Sequence, residues 1–324
     1  FLELLKLPFT GPSSLLYDPT KELMKYVAYT QGVNTPAYVL IETPEDVSSC
    51  NHLRYPLFVK PSKAGDSLGI DDHSLVNNYE ALVEKVNEIF EEYGPILVEE
   101  FIDGREFTVM LVRNPDEHYG SVVFRPVEYV FPSGKKFKTY ALKTSELHTD
   151  ANRLVDDPEL EDKLKKTATD IFNGFVGVGY ARLDFRMNSK GELFFLEINF
   201  TCSVFYSDGY EGSADYILKM DGTGQEKFLK MIIHEGMERY RKGQKKYKMK
   251  GNSISGYGIY ANCNLETGEV VFKGEERSQR IATAPYINKN WSVKELENFK
   301  KYAYPISNEV FLLWDENRSE EHTS

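Results

Sequence analysis

Arg182, Asp184, Glu197 and Asn199 lie within one short stretch, ARLDFRMNSKGELFFLEIN (181–199). Side chains on a strand change face at every residue, so Arg182 and Asp184 point one way and Leu183, Phe185 and Met187 the other. Asn188-Ser189-Lys190-Gly191 has the composition of a turn. On the return strand Glu197 and Asn199 share one face, and Phe194, Leu196 and Ile198 the other. Folding about the turn sets Asp184 opposite the region 195–197. Two carboxylates and an amide oxygen then converge, with an arginine beside them. Neighbouring carboxylates repel unless a cation stands between them. Mg²⁺ suits this set, because it takes carboxylate, carbonyl and water oxygens and shares its shell with substrate phosphates. The plain alternative is a surface hairpin whose acids face water. Leu193 and Phe195 have the parity of Glu197, so the second strand reads as apolar on both faces and is expected to be central in its sheet.

The rest of the chain must position that hairpin. With 324 residues, 41% of them hydrophobic, it can bury a sizeable core and make about two domains. An excess of 50 acidic over 39 basic residues, net −11, argues against general nucleic-acid binding. No apolar run approaches the length of a membrane span. The three cysteines, Cys50, Cys202 and Cys263, are far apart and make neither a disulfide framework nor a zinc spacing, so a reducing, cytoplasmic setting is expected. The six scattered histidines, His148 included, read as surface residues.

DPTKELMKYVAYTQGV has helical spacing, with Leu23, Met24, Val27 and Ala28 as its apolar stripe. NYEALVEKVNEIFEEYG predicts a helix ending at Gly94, and DPELEDKLKKTATDIFNGF a helix with apolar positions 160, 164, 168, 171 and 172. GSADYILKM and GQEKFLKMIIHEGMERYRK are further helices. PAYVLIET, PLFVKPS, PILVEEFI, REFTVMLVR, SVVFRPVEYVF and FKTYALK read as strands. RYRKGQKKYKMKGN reads as a basic, structureless linker. The chain opens abruptly on the apolar run FLELLKLPFTG, which suggests a fragment boundary. It closes on RSEEHTS, which reads as the translation of a sequencing adapter and is assigned no role.

Four blocks in order, FVKPSKAGDSLGI, VEEFIDGREFTV, FKTYALK and ARLDF…FFLEIN, together resemble the ATP-grasp fold of the D-alanine–D-alanine ligase family. With DPTKELMK they span residues 18 to about 220. The resemblance implies an α+β fold in which two subdomains clasp ATP. It also implies an ATP-dependent ligase that joins a carboxylate to an amine through an acyl phosphate. By the same resemblance Lys21, Lys60 and Ser67 belong to the phosphate site. Glu99 and Ile102 belong to adenine and Glu106 to ribose. Lys143, assisted by Lys138, lies on a lid over the phosphates. Asp184, Glu197 and Asn199 hold two Mg²⁺, and Arg182 stabilises the tetrahedral intermediate. The implied partners are small amino acids or other carboxylate and amine substrates.

Three departures fall on substrate-facing positions. Asp66 replaces a serine of the family's loop, Thr144 stands where the lid carries tyrosine, and FTCSVFYSDGYEGSAD (200–215) replaces a run of small residues. The resemblance therefore does not imply D-alanine as substrate.

Beyond the linker, ISGYGIYANCNLETGEVVFKGEE resembles the opening of a SET domain, in which Gly256–Gly258 would approach S-adenosylmethionine. That fold's later Asn-His-Ser-Cys segment is not in the chain. The expected organisation is a remnant of an N-terminal substrate domain over 1–17, an ATP-grasp domain over 18–240, a linker over 241–251, a partial SET-like segment over 252–317 and an artefact over 318–324. The alternative function is a nucleotide-binding regulatory module attached to a SET-type methyltransferase.

Overall fold

The computed structural model describes residues 1–63, 68–117, 119–139 and 151–244, and beyond them 247–252, 256–261, 263–265, 267, 280–293, 296–297, 299, 304–305 and 309–313. Ser67, Asp66, Lys143, Thr144, His148 and residues 318–324 lie outside the described residues. The chain divides into two units, Phe1–Lys242 and Gly243–Ser324.

The first unit holds two antiparallel sheets. One has the order β1-β4-β2-β3, built from Tyr38–Ile41 (β1), Leu57–Pro61 (β2), Leu75–Val76 (β3) and Ile96–Glu100 (β4). Helix α2 (Tyr79–Tyr93) buries Leu82, Val86 and Ile89 against it. Asn78 starts that helix by accepting the Ala81 N–H, and Gly94 ends it at φ 73°, a backbone that favours glycine.

The second sheet has the order β10-β9-β5-β7-β8: Gly104–Arg113 (β5), Val127–Tyr129 (β7), Asn152–Leu154 (β8), Tyr180–Asn188 (β9) and Leu193–Asn199 (β10). Ser121–Val123 (β6) pairs with β5. Alternation along β5 serves two cores. Phe107, Val109 and Leu111 pack with α1 (Lys21–Thr30) and α3 (Pro158–Gly174). Met110 and Val112 pack with α4 (Ser213–Asp221) and α5 (Gly224–Gly243) on the other face. The chain leaves the first sheet at Glu100 and enters the second at Gly104, so residues 101–103 are the passage between them.

Four expectations change. In α1, Leu23 is 44% exposed, and Lys25 is buried in its place beside Met24, Val27 and Ala28. The expected strand over 121–131 is two short strands parted at Phe124–Pro126, since proline cannot donate to a ladder. Phe137–Thr139, expected to open a strand, is irregular, and Tyr140–Lys143 lie outside the described residues. The basic stretch at 240–252 is ordered at both ends: α5 runs to Gly243, and Tyr247–Asn252 (β11) pairs with Gly256–Ala261 (β12). Lysine and arginine favour helix, and a polar strand holds once its backbone is paired. The second unit also contains the sheet β13-β15-β14, formed by Arg280–Thr283 (β13), Val310–Leu313 (β15) and Tyr304–Pro305 (β14), and helix α6 (Ala284–Asn290).

Candidate active site

The hairpin β9–β10 forms as read, and its turn is locked by Asn188, whose Oδ1 accepts the N–H groups of Lys190 and Glu192. Glu197 pairs with Asp184 and Asn199 with Arg182 across the strands. A β-bulge between Phe195 and Glu197 settles the parity conflict. The extra residue, Leu196, shifts the pattern by one, so Leu193, Phe195 and Ile198 all enter the core with Leu183 and Phe185. Without it, Phe195 and Glu197 would share a face. The strand is also an edge of its sheet, not central. That edge is covered: the Phe195 N–H donates to the Asn34 carbonyl in the loop after α1.

A cleft open to solvent runs from this hairpin to the first sheet. It is lined by Lys21, Lys60, Glu99, Ile102, Glu106, Lys138, Arg182, Asp184 and Glu197, so nine of the sequence-assigned residues meet there. Asn199 belongs to the same hairpin, opposite Arg182, and its Oδ1 accepts the Thr201 N–H at 2.9 Å.

Glu99 sits between two ammonium groups. Lys60 Nζ is 2.5 Å from its Oε2, and Lys25 Nζ contacts its Oε1. Burial alone would raise the Glu99 carboxyl, but the two lysines outweigh it and hold the pKa at about 2. Burial also opposes the Lys60 charge, yet Glu99 and then Glu197 hold its pKa above the ordinary lysine value. Burial draws the Lys21 ammonium down, with Glu197 opposing. A depressed carboxyl contributes stability above its unfolded pKa and loses it as pH falls through the folded one. Glu99 is therefore expected to contribute on the order of 3 kcal/mol at neutral pH, lost between its ordinary 4.5 and about 2. Urea unfolding at pH 5 and pH 3 checks this: the wild-type protein should lose more stability across that window than Glu99→Gln, and equal losses would refute it.

Glu106, also buried, holds Lys138 at 2.9 Å and Arg186 at 3.2 Å. Arg186 was not singled out from the sequence, although it lies two residues beyond Asp184 on the same face. Its guanidinium donates to the Ile102 carbonyl at 2.7 Å and to the Lys136 carbonyl, and lies over the Phe101 and Phe131 rings. It thus ties the passage at 101–103 to β9. Phe58, Phe101 and Phe137 form an aromatic group on the same cleft, with Phe58 edge-on to Phe137 at 5.0 Å. Lys25 was missed as well; its signal was a lysine four residues after Lys21 inside the apolar stripe.

Asp184 and Glu197 fit a divalent cation in donor type and face. Arg182 Nη2 lies 3.2 Å from Asp184 Oδ2 and supplies part of the neutralisation. Among the described residues no group of three His, Cys, Asp or Glu side chains gathers to hold a metal by itself. Two carboxylates and an amide suit an ion whose remaining ligands are phosphate and water oxygens.

Two antiparallel sheets flanking a cleft with cations, paired carboxylates and aromatic rings define an α+β protein of the ATP-grasp kind. Residues 27–205 match the family described as D-ala D-ala ligase C-terminus, and the chain belongs to that family. The D-alanine–D-alanine ligase of Aquifex aeolicus is 28% identical over 200 residues, covering 61% of this chain and 64% of that one. The Streptococcus pneumoniae (strain Hungary19A-6) enzyme of the same name is 31% identical over 215 residues, covering 61% and 57%. The chain thus spans less than two thirds of these relatives. Among solved structures, the Bacillus anthracis D-alanine–D-alanine ligase complexed with ATP has a TM-score of 0.58 at 19% identity, covering 75% of each chain. The VanG D-Ala:D-Ser ligase of Enterococcus faecalis has a TM-score of 0.56 at 23% identity, covering 74% of this chain and 66% of that one. These likenesses concern the fold. No described helix is long and apolar enough to cross a membrane.

Proposed function

We propose that the chain is the nucleotide-binding part of an ATP-dependent carboxylate–amine ligase, of the kind its relatives' names describe, acting on small amino acids. The observation that carries this reading is the convergence in one cleft of an aromatic group, three lysines and a carboxylate pair. The aromatic rings and the Ile102 backbone suit a purine, and Glu106 a ribose. Lys21, Lys60 and Lys138 suit phosphates, with Ser67 and Lys143 assigned on the sequence alone. Asp184, Glu197 and Asn199 would hold two Mg²⁺, which offset phosphate charge when bound. In the reaction a substrate carboxylate oxygen takes the γ-phosphoryl group from ATP. The bond to ADP breaks in that transfer; an amine then attacks the acyl carbon, phosphate leaves, the nitrogen gives up one proton and an amide forms. No side chain acts as nucleophile. The lysines position the phosphates, and Arg182 faces the oxygen on which negative charge develops.

We also propose that residues 1–17, 18–240, 241–251 and 252–317 form successive parts of the chain, and that it works in a cytoplasmic setting. The SET-type alternative, with S-adenosylmethionine, has no observation in its favour beyond the GYG motif and is not adopted.

Calorimetry and a phosphate-release assay test the reading. The chain is expected to bind ATP more tightly with Mg²⁺ than without. Its phosphate release is expected to rise when an amino-acid panel is added. Absence of ATP binding would overturn the reading. Release indifferent to every amino acid would favour the regulatory alternative.

A further inference from the structure

We propose that Lys25 is a positioning residue: it is the permanent counter-ion of Glu99, and it leaves Lys60 exchangeable between that carboxylate and the phosphates of a bound nucleotide. The inference rests on the reading of the cleft as an ATP site.

The arrangement is one carboxylate with a cation on each oxygen, all three side chains buried. Stripping the last cation from a carboxylate at that depth is strongly unfavourable. Had Glu99 only Lys60, any movement of Lys60 toward a phosphate would leave a bare buried charge. With two cations, one can leave.

The surroundings decide which one. Lys25 rises from α1, donates to Thr35 Oγ1 at 3.0 Å and lies over the Tyr38 ring at 5.1 Å. It is not among the described lining residues of the cleft. Burial lowers its pKa, with Glu99 opposing, so the ion pair is what secures its charge. Lys60 stands on β2 and lines the cleft, within electrostatic reach of Glu197 as well as Glu99. Lys25 is therefore held from several sides behind the carboxylate, and Lys60 faces the ligand. The two lysines are not equivalent: the outer one does the binding, and the inner one keeps that binding from costing a buried charge.

A purely structural role, stapling α1 to β4, would predict lower stability of Lys25→Met with unchanged nucleotide affinity. The positioning role predicts coupling to Glu99. Calorimetric affinities for MgATP are compared for wild type, Lys25→Met, Glu99→Gln and the double variant. Lys25→Met is expected to weaken MgATP binding by roughly ten-fold, since Lys60 is then pinned to Glu99. In the Glu99→Gln background the same change should cost less than about two-fold, because no buried charge remains to be held. Unchanged affinity in Lys25→Met, or the same loss in both backgrounds, overturns the proposal.

Where the variants do not fold, the wild-type chain provides a second reading. Lysine ammonium NMR signals are followed on adding Mg²⁺ and a non-hydrolysable ATP analogue. The Lys60 signal should shift and the Lys25 signal stay; the reverse overturns the proposal. A wild-type chain that binds no nucleotide sinks both this inference and the ATP-site reading. Binding without the Lys25–Glu99 coupling sinks this one alone.

Discussion

Glu197→Gln is expected to remove most of the Mg²⁺ dependence of nucleotide binding and to lower turnover of the active polypeptide by on the order of 100-fold or more. Glu197 faces Asp184 across β9–β10, so it supplies half of the negative charge that would draw a divalent cation. The bulge at Leu196 is what turns it to that face, and glutamine of the same size keeps the fold while removing the charge. A control separates metal loss from general damage. Without Mg²⁺, the variant should bind ATP at least as well as wild type, because one negative charge near the phosphates has gone while Lys21 and Lys60 remain. Affinity titrations with and without Mg²⁺ decide it. An unchanged Mg²⁺ dependence would show that Asp184 and Glu197 are not a metal pair.

The hairpin was legible because strand alternation is local: parity alone puts Arg182 with Asp184 and Glu197 with Asn199, and the turn signal folds the two pairs toward each other. The bulge was not legible, since it depends on which face the core claims. Leu193 and Phe195 gave the hint, having apolar side chains at the parity of an acid. The edge position of β10 was hidden for a related reason. An edge strand that the loop after α1 covers at Asn34 carries the same apolar pattern as a central one. Lys25 and Arg186 show a different limit. A charged residue in an apolar stripe, or a third charge on an alternating strand, reads as solvated until its partner from another element is known. Glu99 is 74 positions from Lys25, and Glu106 is 80 from Arg186. No periodicity reaches that far, and only the topology brings them together.

Arg182→Met is expected to separate chemistry from binding. The Arg182 side chain is 14% exposed and lines the cleft, with Nη2 against Asp184. Burial opposes its charge, but Asp184 outweighs burial and holds its pKa above the ordinary value, so the guanidinium is fixed as a cation at any working pH. Its buried Nε–H has no hydrogen-bond partner among the described residues. A buried donor left in that state is costly unless a ligand takes it, and a developing oxyanion is such a ligand. Methionine of similar length should therefore lower turnover by on the order of 100-fold while changing ATP affinity by less than about three-fold. The same change removes a cation from Asp184, so half-saturation by Mg²⁺ should fall, not rise. Arg182→Lys should recover only part of the rate, because lysine restores the charge but not the forked donor geometry. Turnover, ATP affinity and a Mg²⁺ titration on the three proteins test this. Equal losses of affinity and turnover would make Arg182 a nucleotide-binding or folding residue, and undiminished turnover would remove it from the chemistry altogether.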